Sequence, residues 1–153
     1  HSFLTSASFD VANNVIHVDS LAESGYNLET IFRDKFSVVV YLPNPSSEVG
    51  HFVLLTHLSS KTLEYFDSYG REPPEQVRAL AKHNGMRVLR NKVQLQAVDS
   101  NVCAKWCLAR MYSLPLSLTN FLKLYTGHRD LTPDELVNNI FVLKKSPPSV
   151  EDE

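Results

Sequence analysis

At 153 residues the chain has the size of one domain, enough to bury about two thirds of its unfolded surface. Hydrophobic residues make up 43% and charged residues 21%, the balance of a globular protein, and no apolar run approaches the ~18 residues of a membrane-spanning helix. A net charge of −2 with acids and bases interspersed excludes the one-sided basic surface that nucleic-acid binding needs; Arg87 to Lys92, where basic residues thicken, reads as the solvated face of one strand.

The opening residues alternate polar and apolar without a basic start, so no signal peptide is expected, and His1 in place of Met points to a piece of a longer chain. The first stretch reads as an irregular arm, followed by a short helix from Leu28 to Arg33 and a buried, β-branched strand from Phe36 to Leu42. Pro43 to Ser47 is a loop, because proline removes ladder donors and disfavours helix in the residue before it. Two strand-like runs, His51 to Leu58 and Thr62 to Asp67, are joined by Ser59, Ser60 and Lys61, a link short enough for an antiparallel hairpin. Folding it there makes His51 and Asp67 cross-strand neighbours.

After the Ser68-Tyr69-Gly70 turn, Pro73 and Pro74 introduce a helix over Glu75 to Asn84, stopped by Asn84-Gly85. Met86 to Gln96 alternates as a strand. From Asn101, a plausible N-cap, the pattern is helical to Met111, with Pro115 closing the run. Helices over Ser117 to Tyr125 and Pro133 to Phe141 follow, the second opened by a Thr132/Glu135 capping box. Beyond Lys144 a Pro/Ser/acid-rich stretch reads as a disordered linker, giving one domain over 1–144 and a tail over 145–153.

A thiol nucleophile needs a depressed pKa, a base within hydrogen-bond reach and donors aimed at the oxyanion. Cys103 falls in the first turn of a helix, where dipole and unpaired N–H groups favour a thiolate; alone it would read as a small core residue. His51 is a structural donor or a base, and Asp67 a turn cap or the carboxylate that orients that base. Gln96, seven residues before Cys103, is a solvated amide or an oxyanion donor, with Gln94 a decoy on the same strand face. Trp106 and Met111 read as core. A zinc set of Cys103, Cys107, His51 and His57 has the right atoms and the wrong spacing. Cys103 and Cys107 lie one helical turn apart, where a disulfide would be strained, and so few cysteines suit a reducing compartment.

Taken in order, Gly50-His51-Phe52, the strand ending Phe66-Asp67-Ser68-Tyr69-Gly70, and Gln96 through Cys103-Ala104-Lys105-Trp106-Cys107 resemble the adenovirus-proteinase branch of cysteine peptidases, which includes the SUMO-deconjugating proteases. The resemblance covers about residues 36 to 111. It implies His51 as base, Asp67 as its orienter, Gln96 as oxyanion donor and Cys103 as nucleophile. Two positions depart from the family pattern: Ala104 stands where Gly follows the nucleophile, and Phe52 where Trp is common.

The expected fold is α+β, a small, mostly antiparallel sheet flanked by helices, with the Cys103 helix aiming its N-terminus at the sheet edge. The expected activity is that of a cysteine endopeptidase without cofactor or metal, of a viral type that processes polyprotein or structural precursors. Alternatives are deconjugation of a ubiquitin-like modifier, or an inactive pseudo-peptidase that binds a partner in its groove. The resemblance implies a protein substrate, and a monomer in a reducing intracellular compartment (the host cytoplasm or nucleus for a viral enzyme) is expected, with an activating protein partner a further expectation; composition points to no membrane or nucleic-acid partner.

Overall fold

The computed structural model describes residues 15–47, 49–97, 102–127 and 130–145. In chain order these form β1 (Val15–His17), α1 (Ser20–Glu23), α2 (Leu28–Phe32), β2 (Ser37–Leu42), β3 (His51–Ser59), β4 (Thr62–Phe66), α3 (Glu75–His83), β5 (Arg87–Arg90), α4 (Cys103–Tyr112), α5 (Leu118–Tyr125) and α6 (Pro133–Lys145). The fold is α+β: one five-stranded sheet in the order β1-β2-β3-β4-β5, with helices on both faces. β3 pairs antiparallel with β2 and β4, which gives the longer registers, while β1 on β2 and β5 on β4 add parallel outer pairs. No helix among the described residues is long and apolar enough to cross a membrane.

Both faces of the central strands are covered, which is why β2 and β3 read as continuous apolar runs rather than alternating ones. Val39, Leu54 and Phe66 face Trp106, Leu108, Phe121 and Tyr125 from α4 and α5. Their neighbours Val38, Val40, Val53, Leu55, Leu63 and Tyr65 face Leu21, Ile31, Val77 and Leu80 on the other side. The first of these layers is aromatic, with Phe66 edge-on to Phe121 at 5.5 Å and Trp106 edge-on to Tyr125 at 4.8 Å.

Several elements differ from the sequence reading. The irregular arm contains β1 and α1 within its described part, because the parallel pairing of Val15–His17 with Val39–Tyr41 depends on a partner distant in sequence. Strand material after Met86 ends at Arg90 instead of reaching Gln96, since the buried Asn91 side chain bonds the β4 exit and pulls the chain out of the ladder. The α4 N-terminus meets the start of β3, the central strand, and not an edge strand. Its N-cap position is Val102, without a side-chain cap, and Asn101 lies outside the described residues. The Thr132/Glu135 box is reciprocal: Thr132 N donates to Glu135 Oε1 at 2.8 Å and Glu135 N to Thr132 Oγ1 at 3.2 Å. The helix it opens runs to Lys145, so the 145–153 tail falls outside the described residues apart from its first position.

One contact had no sequence signal. Glu64 on β4 and Arg110 on α4 are 0% and 1% exposed and pair through two parallel bonds of 2.8 Å each, Arg110 Nε to Oε2 and Nη2 to Oε1. Arg110 Nη1 also donates to the Leu116 carbonyl at 2.8 Å, and the guanidinium lies 5.2 Å from the Phe121 ring centre. Every polar atom of this pair needs its partner, because an unpaired charge here has no water to turn to. Arg110→Met is therefore expected to destabilise the protein by about 3–5 kcal/mol in urea unfolding, whereas Glu64→Leu with Arg110→Met recovers most of the loss. A single mutant as stable as the wild type would show that the pair contributes nothing.

Candidate active site

The β2–β3 connection returns the chain tightly enough that a Cβ on Gly50 would fall 2.5 Å from the Leu42 carbonyl oxygen and the Tyr41 ring. Glycine is required there, and His51 follows as the first residue of β3. On the neighbouring strand the register Leu54↔Phe66 puts Asp67 one step beyond the end of β4, diagonal to His51. The His51 Nε2–H donates to Asp67 Oδ1 at 2.7 Å, and the imidazole packs on the Tyr69 ring at 4.6 Å between centres. The other ring nitrogen, Nδ1, is left for Cys103, with which His51 also hydrogen-bonds. Asp67, His51 and Cys103 thus form one hydrogen-bonded chain across three elements.

Asp67 is fixed on every side. Its Oδ1 also accepts from Tyr69 N at 2.8 Å and its Oδ2 from Arg71 N at 3.3 Å. Asn91 clamps its main chain, donating from Nδ2 to the Asp67 carbonyl at 2.6 Å and accepting at Oδ1 from Asp67 N at 3.0 Å. Gly70, with φ of +71°, turns the chain back where a Cβ would meet the Lys92 and Val93 backbone at 2.9 Å.

The electrostatics follow from this packing. Burial pushes the His51 imidazolium down, but the Asp67 and Cys103 bonds and charges outweigh it and hold its pKa up at about 9. Burial pushes the Cys103 thiol up, and here too the opposing contacts prevail: the His51 bond, N–H donation from Phe52, the His51 charge and N–H donation from Ala104 bring it below the ordinary thiol range. Cys107, one turn along α4 and fully buried, has its thiol pushed well above that range by burial and by the charges of Cys103 and Asp67. Both cysteines are free. Ala104 lies within α4 and needs no positive φ, so the methyl group that replaces hydrogen there imposes no backbone strain.

Gln96 is buried beside Ser68 rather than lining the cleft. Ser68 Oγ donates to Gln96 Oε1 at 2.6 Å, which takes the oxygen end of the amide and turns the Nε2 end away from Ser68. The Leu95 and Gln96 N–H groups both donate to the Ser68 carbonyl, at 2.8 and 3.0 Å. Gln94 is exposed and donates to the Gln96 carbonyl at 2.8 Å, so the two amides do not share a strand face. Asp134 at the start of α6 ties this segment to the nucleophile's helix: Oδ2 accepts from Ala97 N at 3.0 Å and Oδ1 from Trp106 Nε1 at 2.8 Å. His57 stands toward the far end of β3, its ring 5.5 Å from that of Phe32, so it does not join His51.

The His51–Cys103 pair opens into a cleft of about 610 Å³. Because β3 lies between β2 and β4, one wall is the β2–β3 loop, with Pro43, Pro45 and Val49, and the other is the β4–α3 loop, with Tyr69, Arg71 and Pro74. Ala104 also lines it.

No family model matches the chain. It is 24% identical to uncharacterized protein V9 of Sputnik virophage, over 70% of this chain and 74% of that protein. Among solved structures, the selenomethionine crystal structure of the ASFV pS273R protease matches 69% of this chain at 19% identity, with a TM-score of 0.46. The chain spans 42% of that protein's length.

Sequence reasoning named the four polar residues His51, Asp67, Gln96 and Cys103 and missed those that hold them: Ser68, Asn91 and Asp134. The clue for Ser68 and Asn91 was the general one that a buried amide or hydroxyl must find a partner, and Asp134 carried no signal beyond a helix-start acid. The electrostatics also give a test within one helix. At pH 6, iodoacetamide is expected to alkylate Cys103 and spare Cys107, with His51→Ala slowing Cys103 at least tenfold as its thiol returns toward the ordinary range. Equal rates at Cys103 in the two proteins, by mass spectrometry, would remove the thiolate from the account.

Proposed function

We propose that this chain is a cysteine endopeptidase, with Cys103 as nucleophile, His51 as acid and base, Asp67 as the group that orients His51, and Gln96 as an oxyanion donor. The observation that carries the reading is the hydrogen-bonded chain Asp67–His51–Cys103 at the floor of an open cleft, with backbone N–H groups on the same sulfur.

The chemistry follows from the two shifted pKa values. With the thiol lowered and the imidazolium held up to about 9, the resting form is a Cys103 thiolate paired with a His51 imidazolium. Sulfur attacks the scissile carbonyl and its charge passes to the carbonyl oxygen, where N–H donors at the α4 start stabilise it, and Gln96, buried beside Ser68, joins them in this reading by presenting its Nε2 end to the cleft. His51 Nδ1–H gives its proton to the leaving amine, the C–N bond breaks and an acyl-Cys103 thioester remains. Water then loses a proton to His51 as it attacks, and the carboxylate product leaves with the thiolate restored. Throughout, the Asp67 bond to Nε2 fixes the imidazole's orientation and supports its positive charge. The likeness to a virophage protein supports a viral setting, and within it the role we propose is processing of polyprotein or structural precursors.

Cys103→Ala is expected to abolish turnover of a fluorogenic peptide library while leaving thermal unfolding near wild type; residual activity within tenfold of wild type would refute the assignment. Turnover of modifier-based substrates alone would replace precursor processing with deconjugation.

The pH profile has its own sign. A raised His51 pKa keeps the proton donor charged below about 9, so kcat/KM should fall as pH rises through that value. Asp67→Asn removes raising contributions and should move this alkaline limb to lower pH; a limb that stays in place would sever Asp67 from the mechanism. Gln96→Ala should lower kcat by about 10²-fold with little change in KM. A change confined to KM would exclude the oxyanion role.

A further inference from the structure

The β4–α3 wall of the cleft carries a cation held in place. The Arg71 guanidinium stacks on the Tyr69 ring at 4.4 Å, and that same ring packs against the His51 imidazole at 4.6 Å. The loop beneath is rigid, because Tyr69 N and Arg71 N both donate to the Asp67 carboxylate and Gly70's carbonyl accepts from Arg90 Nη2 at 3.1 Å. Neighbouring Glu72 also lines the cleft, but its carboxylate leans to Arg78 on α3, 3.9 Å away, and no carboxylate among the described residues pairs with the Arg71 guanidinium. A second donor stands in this wall: Tyr65 lines the cleft and is 1% exposed, and its hydroxyl has no hydrogen-bond partner among the described residues. Across the cleft, Pro43, Pro45 and Val49 offer apolar side chains, with Asn44 the polar residue among them.

A fixed guanidinium facing a mainly apolar wall, with a buried unpaired hydroxyl in the cleft lining, is complementary to a carboxylate on one side of a peptide and an aliphatic group on the other. We propose that Arg71 makes this cleft select peptides with an Asp or Glu side chain close to the cleaved bond. The proposal rests on the peptidase reading for its meaning in cleavage, and on the wall alone for its meaning in binding. Since the stack links guanidinium to imidazole through a single ring, and an extended chain advances about 3.3 Å per residue, the acidic side chain falls within about three residues of the scissile bond.

The test uses fluorogenic octapeptide libraries in which one position at a time is fixed as Glu, Gln or Lys. Wild type is expected to use Glu over Lys by about 5-fold or more at one position, the ratio shrinking as NaCl rises from low to high concentration. Arg71→Glu should invert that ratio, which a merely structural arginine would not do, and Tyr65→Phe should reduce the preference for Glu over Gln. Equal use of the three libraries by wild type, or an order unchanged in Arg71→Glu, overturns the proposal. Anisotropy of the labelled libraries on Cys103→Ala separates the two readings. If no library is cleaved, the peptidase reading fails, and Arg71 is still judged by binding: a Glu preference inverted by Arg71→Glu sustains its role, and indifference to charge ends it.

Discussion

The bidentate Glu64–Arg110 pair joins the two halves of the site. Glu64 lies in the middle of β4, three residues before Asp67, and Arg110 lies two turns into the helix that Cys103 begins. The carboxylate side and the nucleophile side of the cleft are therefore joined by a link with a single fitting geometry, unlike an apolar contact that can slide. Such a pair adds little net stability over a well-packed apolar substitute. Its value lies in register: α4 packs on the sheet at the height and rotation at which the fork closes, and that height sets where Cys103 meets His51.

Above this link a second constraint acts through Asp67. One residue takes the His51 Nε2–H, the Tyr69 and Arg71 N–H groups, and the Asn91 clamp on its main chain. The same carboxylate thus orients the imidazole, raises its pKa and shapes the wall that carries Arg71. Chemistry and substrate wall share an anchor, so a shift in Asp67 would alter both together.

Much of this was legible in the sequence where the signal was local. The β3–β4 hairpin follows from two strand-like runs on a short link, the α3 stop from Asn84-Gly85, and the α6 start from Thr132 and Glu135. Where pairing is distant in sequence the signal fades. Nothing within Val15–His17 announces a parallel partner at Val39–Tyr41, and nothing within Arg110 names Glu64 as the acid it reaches. The segment after Arg90 looked like strand because its apolar residues alternate, yet Leu95 and Gln96 are both buried and both donate to the Ser68 carbonyl. A side-chain clamp at Asn91 won over the period-two pattern there, and only tertiary context makes that visible. Of the site residues, the order His51, Asp67, Gln96, Cys103 was readable, whereas their supports were ordinary amides, hydroxyls and a helix-start carboxylate with no spacing to mark them.

The distribution of buried polar groups explains why this end of the sheet differs from the other. Asp67, Ser68, Asn91 and Gln96 are all buried at the cleft end, with Glu64 and Arg110 on the strand and helix that lead to it, whereas among the described residues the far end buries only the hydroxyls of Ser37, Thr56 and Thr62. Each would cost stability if unpaired, and an apolar core of equal volume would hold the layers together as well. What such a core would not do is place a sulfur, an imidazole and an amide from three separate segments within the ~0.5 Å that a productive site tolerates. Hydrogen bonds with short ranges and fixed directions do so, because each is lost within a fraction of an ångström. Most of the chain's buried polarity lies where position matters, and the aromatic layer of Phe66, Trp106, Phe121 and Tyr125 supplies the cohesion beneath it.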